Sequence, residues 1–285
     1  MKHIVYIGLL SLLIGCASSG KKSSYKNLSY RVVDASSAAR GKCEFQADFD
    51  LKTAINKAAT CFAEKNYPTT HLLAVHIRSL DEKAPWGYYF DSLYFASKEH
   101  HNQALWYAKK ALERDYKNAL LHFQLGRVYY SLNDLNLAIY HLGEAHKLDK
   151  DMEEATFFLA QTYLQNQMFE LAYKHYTKLS LSNNKQDVLR GRYLSAFKSG
   201  NYVEAFANIK RIGKRHFHNS DYVHLAYLQE KVGQIDEALD TYKYVLKSKK
   251  WQNTTYTKLE IADKIKDLEV QLRAIATAKG EKEIK

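Results

Sequence analysis

Small apolar residues recur along this chain at a nearly constant interval. Ala104, Ala138, Ala172, Ala205 and Ala238 are separated by 34, 34, 33 and 33 residues. With only 2 Pro and 12 Gly, the chain has few helix breakers, and the pattern favours long helices. A period near 34 residues indicates a repeated helix–turn–helix unit, so the sequence predicts an all-α fold.

Two further sets of residues keep the same 34-residue step. They are Leu125, Leu159 and Tyr193, and Tyr129, Tyr163 and Phe197. The repeat resembles that of the tetratricopeptide (TPR) family, whose helix A carries Leu, a small residue and Tyr, and whose helix B carries Ala, an aromatic residue and Ala. Block 119–152 matches with Leu125, Gly126, Tyr129, Ala138, Leu142 and Ala145, and block 153–186 with Leu159, Ala160, Tyr163, Ala172, Tyr176 and Leu179.

The resemblance implies a right-handed α-solenoid of antiparallel helix pairs, with five repeats over residues 85–252. Small residues are expected where helices A and B of one repeat cross at close range. In the repeat from Asp187 the bulky Leu194 takes such a position, which predicts a displaced helix pair.

Both ends of the repeat array need a cover, because terminal repeats would otherwise leave an open core. Residues 43–84 have the apolar spacing of a degenerate helical cap. Residues 253–285 are predicted to form a capping helix and tail. The helix has an apolar stripe on one face, formed by Ile261, Ile265, Leu268, Leu272 and Ile275. The alternative is that this stripe forms a coiled-coil dimer.

The N-terminus has the features of an export signal. A short cationic head precedes an apolar run from Ile4 to Ile14, which is too short for a permanent transmembrane helix. Leu13, Ile14, Gly15 and Cys16 resemble the lipobox of bacterial lipoproteins, which implies cleavage after residue 15 and acylation of Cys16, including palmitate. The alternative is an ordinary buried cysteine in an uncleaved helix.

The resemblance to lipoproteins also predicts a location. The residue after Cys16 is Ala17 and not the Asp that commonly retains such proteins in the inner membrane. We therefore expect a lipid anchor in the outer membrane, facing the periplasm. Residues 16–42 would form a flexible tether, since the polar stretch 17–24 cannot bury enough apolar surface to order itself.

The formal net charge of +11 would ordinarily suggest nucleic acid as a partner. Export argues against that partner, so we expect none. The late excess of Lys and Arg, including Lys210, Arg211, Lys243 and Lys247, is interpreted as a solvated helix face. The alternative is a basic face that orients the solenoid or recruits an acidic partner.

Two cysteines remain after Cys16. Cys43 and Cys61 have seventeen residues between them, and an even pair in an exported protein suggests a disulfide. The alternative is two buried reduced thiols. Neither their spacing nor their neighbours suit a metal site.

The sequence shows no motif of nucleophilic, phosphate-binding or zinc chemistry, so we expect no enzyme, cofactor, metal or small-molecule substrate. His100 and His101 are adjacent, and adjacent helical residues point about 100° apart and seldom bind one ion together. His141 and His175 are one repeat apart and are expected to stack along the outer helices.

The TPR resemblance also predicts a binding surface, because helix A surfaces of stacked repeats form a concave groove. Its positions fall on Trp86, Tyr89, Leu93, Phe123, Arg127, Tyr130, Phe157, Gln161 and Tyr227. This lining is aromatic, and Arg127 is the single residue of the kind that clamps a C-terminal carboxylate. An amphipathic helix or an extended peptide would fit it. Alternatively, the chain's own cap or C-terminal helix fills the groove.

These expectations combine into one functional hypothesis. The chain would be an outer-membrane TPR lipoprotein acting as a non-enzymatic protein–protein interaction scaffold in an envelope assembly. Families with this plan serve the pilus secretin, outer-membrane protein assembly or peptidoglycan enzymes, and no motif selects among them. The alternative is a targeting or regulatory subunit of a periplasmic hydrolase.

Overall fold

The computed structural model describes residues 42–179, 185–248 and 256–283. In these ranges it has no strand, and the α-helices run as follows: α1 Leu51–Ala63, α2 Tyr67–Leu80, α3 Trp86–Ser97, α4 His101–Arg114, α5 Ala119–Ser131, α6 Leu135–Leu148, α7 Glu153–Gln165, α8 Phe169–Lys178, α9 Lys185–Lys198, α10 Tyr202–Ile212, α11 Asn219–Lys231, α12 Ile235–Lys247 and α13 Lys258–Glu283. The predicted all-α, TPR-like fold class is confirmed.

Two compact units divide the chain within α7. The N-terminal unit ends at Thr162 and the C-terminal unit begins at Tyr163. The predicted signal, Cys16 and all of the tether except Lys42 lie outside the described residues. Within the described ranges, each helix is too short or too polar to cross a membrane.

The turn between helices A and B has the same backbone in every hairpin. Its left-handed residue recurs every 33 or 34 positions, at Lys65, Glu99, Asn133, Gln167, Gly200 and Gly233, with φ between 60° and 82°. The next residue is always the N-cap of helix B, from Asn66 (φ −82°, ψ 73°) to Gln234 (φ −86°, ψ 67°). Only two of these six turns use glycine, although a left-handed residue with a side chain costs about 1–2 kcal/mol.

Residues 43–84, predicted as a degenerate helical cap, contain a pair of helices joined by the first of these turns. α1 and α2 form the same hairpin as the repeats that follow. Thr70 takes the position of the repeated alanines and lies 34 residues before Ala104. Thr70 is fully buried, and its hydroxyl donates to the Asn66 carbonyl at 2.9 Å. The hydroxyl is therefore satisfied locally, which allows Thr where the repeat elsewhere has Ala.

Close helix crossing explains the small residues of the best repeat. A Cβ atom at Gly126 would lie 2.7 Å from Leu142 Cγ and 3.0 Å from Leu142 N, so α5 and α6 touch at this point. Ala138 is fully buried. A larger side chain at either position would have to push the two helices apart.

The irregular repeat of α9 and α10 is joined to the next helix through a buried tyrosine. Leu194 is only half-buried, whereas Tyr193 is 1% exposed and donates its hydroxyl to Asp221 on α11. Arg190 donates to the same carboxylate at 2.5 Å, and the His218 backbone N–H donates at 2.7 Å. Burial, together with the Asp221 charge, raises the pKa of Tyr193. This network joins α9 to α11.

The C-terminal helix covers the last hairpin. Ile261, Ile265 and Leu268 on α13 are buried in a cluster with residues of α11 and α12, namely Val223, Ala226, Ala238, Tyr242 and Val245. Further along the stripe, Ile275 is 39% exposed. The packing favours the capping interpretation over a dimer for the first half of this helix.

A disulfide bond joins Cys43 to Cys61 in the structure, with the two Cα atoms 4.7 Å apart. Cys61 lies on the buried face of α1, and Cys43 lies in the extended segment before it. The Lys57 ammonium, also on α1, donates to the Glu44 carboxylate at 2.6 Å and to the Lys42 carbonyl at 3.1 Å. The segment before α1 is thus held against that helix by covalent and polar contacts.

Candidate peptide-binding surface

The residues predicted to line the groove differ strongly in exposure. Tyr89 and Leu93 are 5% exposed and Phe123 is 1% exposed, so the prediction that they line an open surface is wrong for these three residues. Neighbouring rings contact two of them: Tyr89 contacts Trp86 and Phe90, and Phe123 contacts Phe158. Half-buried side chains do occur at five other predicted positions of the N-terminal unit, namely Trp86, Arg127, Tyr130, Phe157 and Gln161.

Phe158 is the centre of the best-defined part of this surface. Its ring centroid lies 5.6 Å from that of Phe123, 6.2 Å from Tyr130 and 6.0 Å from Phe157, each in an edge-on arrangement. The Arg127 guanidinium lies 5.2 Å from the same ring. We call these five residues the aromatic cluster.

The cluster follows from helix geometry. Phe123, Arg127 and Tyr130 are spaced four and three residues apart on α5, so they share one helix face. Asn118 fixes the start of α5, because its side chain accepts a hydrogen bond from the Leu120 N–H at 3.1 Å. Sequence reasoning missed Phe158, although two consecutive phenylalanines on one helix indicate that one must face a neighbouring helix.

The electrostatics of the cluster are those of a weakly solvated surface. Burial raises the pKa of Tyr130 to about 12, so its hydroxyl is neutral at physiological pH. The Arg127 guanidinium lies 5.5 Å from the ring centre of buried Phe123, and it has no carboxylate within 4 Å among the residues that the structure describes. The surface therefore offers aromatic edges and one positive charge.

Trp86 and Tyr227 lie outside the cluster. Trp86 packs edge-on against Tyr89, 6.1 Å away, at the start of α3. Tyr227 belongs to the C-terminal unit, where its ring contacts Phe197 at 5.5 Å and Tyr202 at 5.7 Å.

The basic helices of the C-terminal unit are partly neutralised. Lys243 pairs with Glu269 at 2.8 Å, and Lys264 pairs with Glu230 at 3.1 Å. Lys210 lies over the Phe206 ring at 5.0 Å, and Arg211 is exposed. These contacts are typical of a solvated helix face and define no site.

The two repeat-spaced histidines pack inward and not along the outer helices, which corrects the expectation. Each stacks or tilts against the tyrosine twelve residues before it, with ring centroids 5.5 Å apart for Tyr129–His141 and 5.4 Å apart for Tyr163–His175. Phe95 and Tyr107 make the same contact at 5.1 Å. This ring pair therefore holds helix A against helix B in successive repeats.

His141 also faces His122, with their Nδ1 atoms 3.1 Å apart. The Nε2 atom of His122 lies 2.9 Å from the Tyr116 carbonyl. Burial lowers the pKa of both rings. The pKa of His141 falls to about 4, because His122 and Lys109 add to the effect of burial while Glu144 opposes it. Within the described ranges, no group of three or more His, Cys, Asp or Glu could hold a metal ion.

We expect this pair to make the N-terminal unit acid-sensitive. Because the folded pKa of His141 lies below the usual value near 6.5, its contribution to stability is complete above pH 6.5 and is lost as the pH falls towards 4. His141→Phe keeps a ring against Tyr129 and cannot titrate. Its melting temperature should fall less between pH 7 and pH 4.5 than that of the parent.

His101→Gln, at the start of α4, is the control for this measurement. Carboxylates also titrate in this range, so the difference between the profiles of parent and variant is the quantity that matters. Superimposable profiles for the parent and His141→Phe would show that the pair does not drive the acid response.

Known proteins were compared with this chain by sequence and by fold. No protein-family profile matches the chain. A TPR repeat-containing protein of Methanocaldococcus jannaschii is 25% identical over 240 residues, covering 68% of this chain and 42% of the relative. The chain thus spans less than half the length of the curated relative that it matches.

Solved structures show the same architecture. PilF of Pseudomonas aeruginosa matches with a TM-score of 0.60 and 16% identity, covering 75% of this chain and 95% of PilF. MamA AMB-1 matches with a TM-score of 0.51 and 21% identity, covering 55% of this chain and 94% of MamA. At these identities the likeness concerns the fold alone. With its repeated helix hairpins the chain has a TPR-like fold, and it is similar in sequence to a TPR repeat-containing protein.

Proposed function

We propose that this protein is a non-enzymatic scaffold that binds a protein partner through the helix A surface of its N-terminal unit. The observation that carries the proposal is the aromatic cluster, where half-buried Tyr130 and Phe157 present ring edges around Phe158. Aromatic residues and Arg are enriched among the anchors that supply most of the affinity at protein interfaces. An amphipathic helix or an extended apolar segment of the partner fits such a surface.

Site-specific photocrosslinking tests where the partner binds. A photoreactive residue at Tyr130 or Phe157 should crosslink to one envelope protein in intact cells. The same residue at Tyr244, which is 59% exposed on α12, should not. With the purified partner, Tyr130→Ala and Phe157→Ala should each weaken binding about thirtyfold, since truncating one interface anchor commonly costs about 2 kcal/mol.

Lys210→Ala with Arg211→Ala is the matched charge control. Exposed charges contribute about 1 kcal/mol or less, mainly to salt dependence. If the charge changes abolish binding while the aromatic changes leave it intact, the basic helices and not the cluster bind the partner. A crosslinked hydrolase whose activity depends on this chain would favour a regulatory subunit instead.

We further propose that the scaffold is anchored in the outer membrane through acylated Cys16, facing the periplasm. Support comes from the sequence Leu13-Ile14-Gly15-Cys16 followed by Ala17. Two or more acyl chains hold a protein firmly, because each buried methylene contributes about 0.8 kcal/mol. Metabolic labelling with a palmitate analogue should mark the chain, and Cys16→Ser should abolish both labelling and sedimentation with membranes. A Cys16→Ser protein that still labels would refute the anchor.

A further inference from the structure

Arg127 differs from the other half-buried arginines of the described residues. Five arginines are half-buried, namely Arg78, Arg114, Arg127, Arg190 and Arg192. Four of them donate side-chain hydrogen bonds: Arg78 to Asp91, Arg114 to the Glu82 carbonyl, Arg190 to Asp221, and Arg192 to the carbonyls of Tyr176, Thr177 and Leu179. Within the described ranges, the guanidinium of Arg127 donates none.

Two rings hold the Arg127 guanidinium in place without using its N–H groups. Its central carbon lies 5.5 Å from the ring centre of Phe123 and 5.2 Å from that of Phe158. Phe123 is 1% exposed, so one side of this seat is part of the core and does not move easily. A guanidinium seated on rings keeps its planar fork of donors available and loses less rotamer entropy when it binds a ligand.

The side chains that the structure places against Arg127 carry no negative charge. Neighbouring Tyr130 is neutral, and Phe157 and Phe158 are apolar. The N–H groups of a half-buried guanidinium can donate to water or to a ligand, and a carboxylate matches the guanidinium fork with two parallel hydrogen bonds. The structure thus combines an apolar surface with a single, oriented site for an anion.

We propose that Arg127 binds the carboxylate of an Asp or Glu side chain that lies within an otherwise apolar segment of the partner. This inference rests on the proposed function and adds the charge that the partner must carry. An internal side chain is favoured over a chain terminus because the single cation is surrounded by aromatic side chains, which suit apolar residues on both sides of the acidic one.

A displayed library of random twelve-residue peptides with blocked C-termini tests the inference on the detergent-purified full chain. Peptides selected by the parent protein should combine apolar residues with one Asp or Glu. Arg127→Gln should lose the acidic preference and bind the selected peptides at least tenfold more weakly, because hydrogen bonds to charged groups are among the strong ones. Arg127→Lys should retain part of the affinity, since it keeps the charge and loses the planar fork.

Arg211→Gln, at an exposed position of α10, is the control and should bind like the parent. Equal circular dichroism and urea midpoints must show that the Arg127 variants remain folded. Apolar peptides without an acidic preference, bound equally by Arg127→Gln, would overturn the inference and leave the proposed surface intact. A preference for free over blocked C-termini would also overturn it. If no selected peptide depends on Tyr130 or Phe157, the proposed function itself fails.

Discussion

Phe123→Ala is expected to lower the free energy of unfolding of the N-terminal unit by about 3–5 kcal/mol, the usual cost of truncating a buried Phe. The ring is 1% exposed, and it supports both Phe158 and the Arg127 guanidinium. Its removal leaves a cavity that the packed helices cannot fully close. Urea unfolding followed by circular dichroism measures the loss, and hydrogen exchange of α5 locates it.

Phe157→Ala is the matched control, because Phe157 is half-buried on the same surface and should cost far less stability. Phe123→Leu should recover most of the loss, since it keeps much of the apolar volume. Comparing Phe123→Ala with Phe157→Ala also distinguishes a core residue from a residue of the binding surface. If Phe123→Ala weakens partner binding, it does so indirectly, because the Arg127 guanidinium loses the ring on which it packs. A Phe123→Ala protein with the parent's urea midpoint would contradict the burial that the structure assigns.

Removal of the Cys43–Cys61 disulfide should destabilise the N-terminal unit by about 3 kcal/mol, the value expected for a closed loop of this length. The bond restrains the unfolded chain by joining residues that are 18 positions apart. Reductant should lower the melting temperature of a chain in which Cys16→Ser has removed the third thiol. Mass spectrometry without reduction should find the two peptides linked.

The double variant Cys43→Ala with Cys61→Ala provides the control. Alanine suits the fully buried Cys61 position, because it introduces no polar group. This variant should melt at the lower temperature and should not respond to reductant. Two alkylatable thiols in the untreated protein, together with an unchanged melting curve on reduction, would show that the bond does not form.

The repeat itself could be predicted from the sequence because its determinants are local and steric. Gly126 and Ala138 must be small where α5 and α6 touch, and this requirement recurs with the period of the hairpin. The first hairpin was recognised only as a degenerate cap, since Thr70 and Lys65 replace the residues that mark the repeat. Its turn has the same left-handed backbone, which residues other than glycine can adopt at a modest cost.

The candidate site was only half predictable. Family positions predicted all six of the following residues as lining a groove: Arg127, Tyr130 and Phe157 are half-buried, whereas Tyr89, Leu93 and Phe123 are core residues. They omitted Phe158, around which the cluster is built. Helical spacing fixes the face on which a side chain lies, whereas its exposure depends on the side chains that the next repeat brings against it.

The sequence by itself determined the all-α repeat, the close helix crossings and the aromatic character of the surface, because each of these follows from residue size and period along one chain. Only the tertiary structure decided which aromatic residues are buried, that His141 faces His122, and that the Arg127 guanidinium donates no hydrogen bond to the residues that the structure describes. Those properties arise from contacts between helices that are distant in sequence. Such contacts depend on side-chain packing in three dimensions, which no periodicity along the chain encodes.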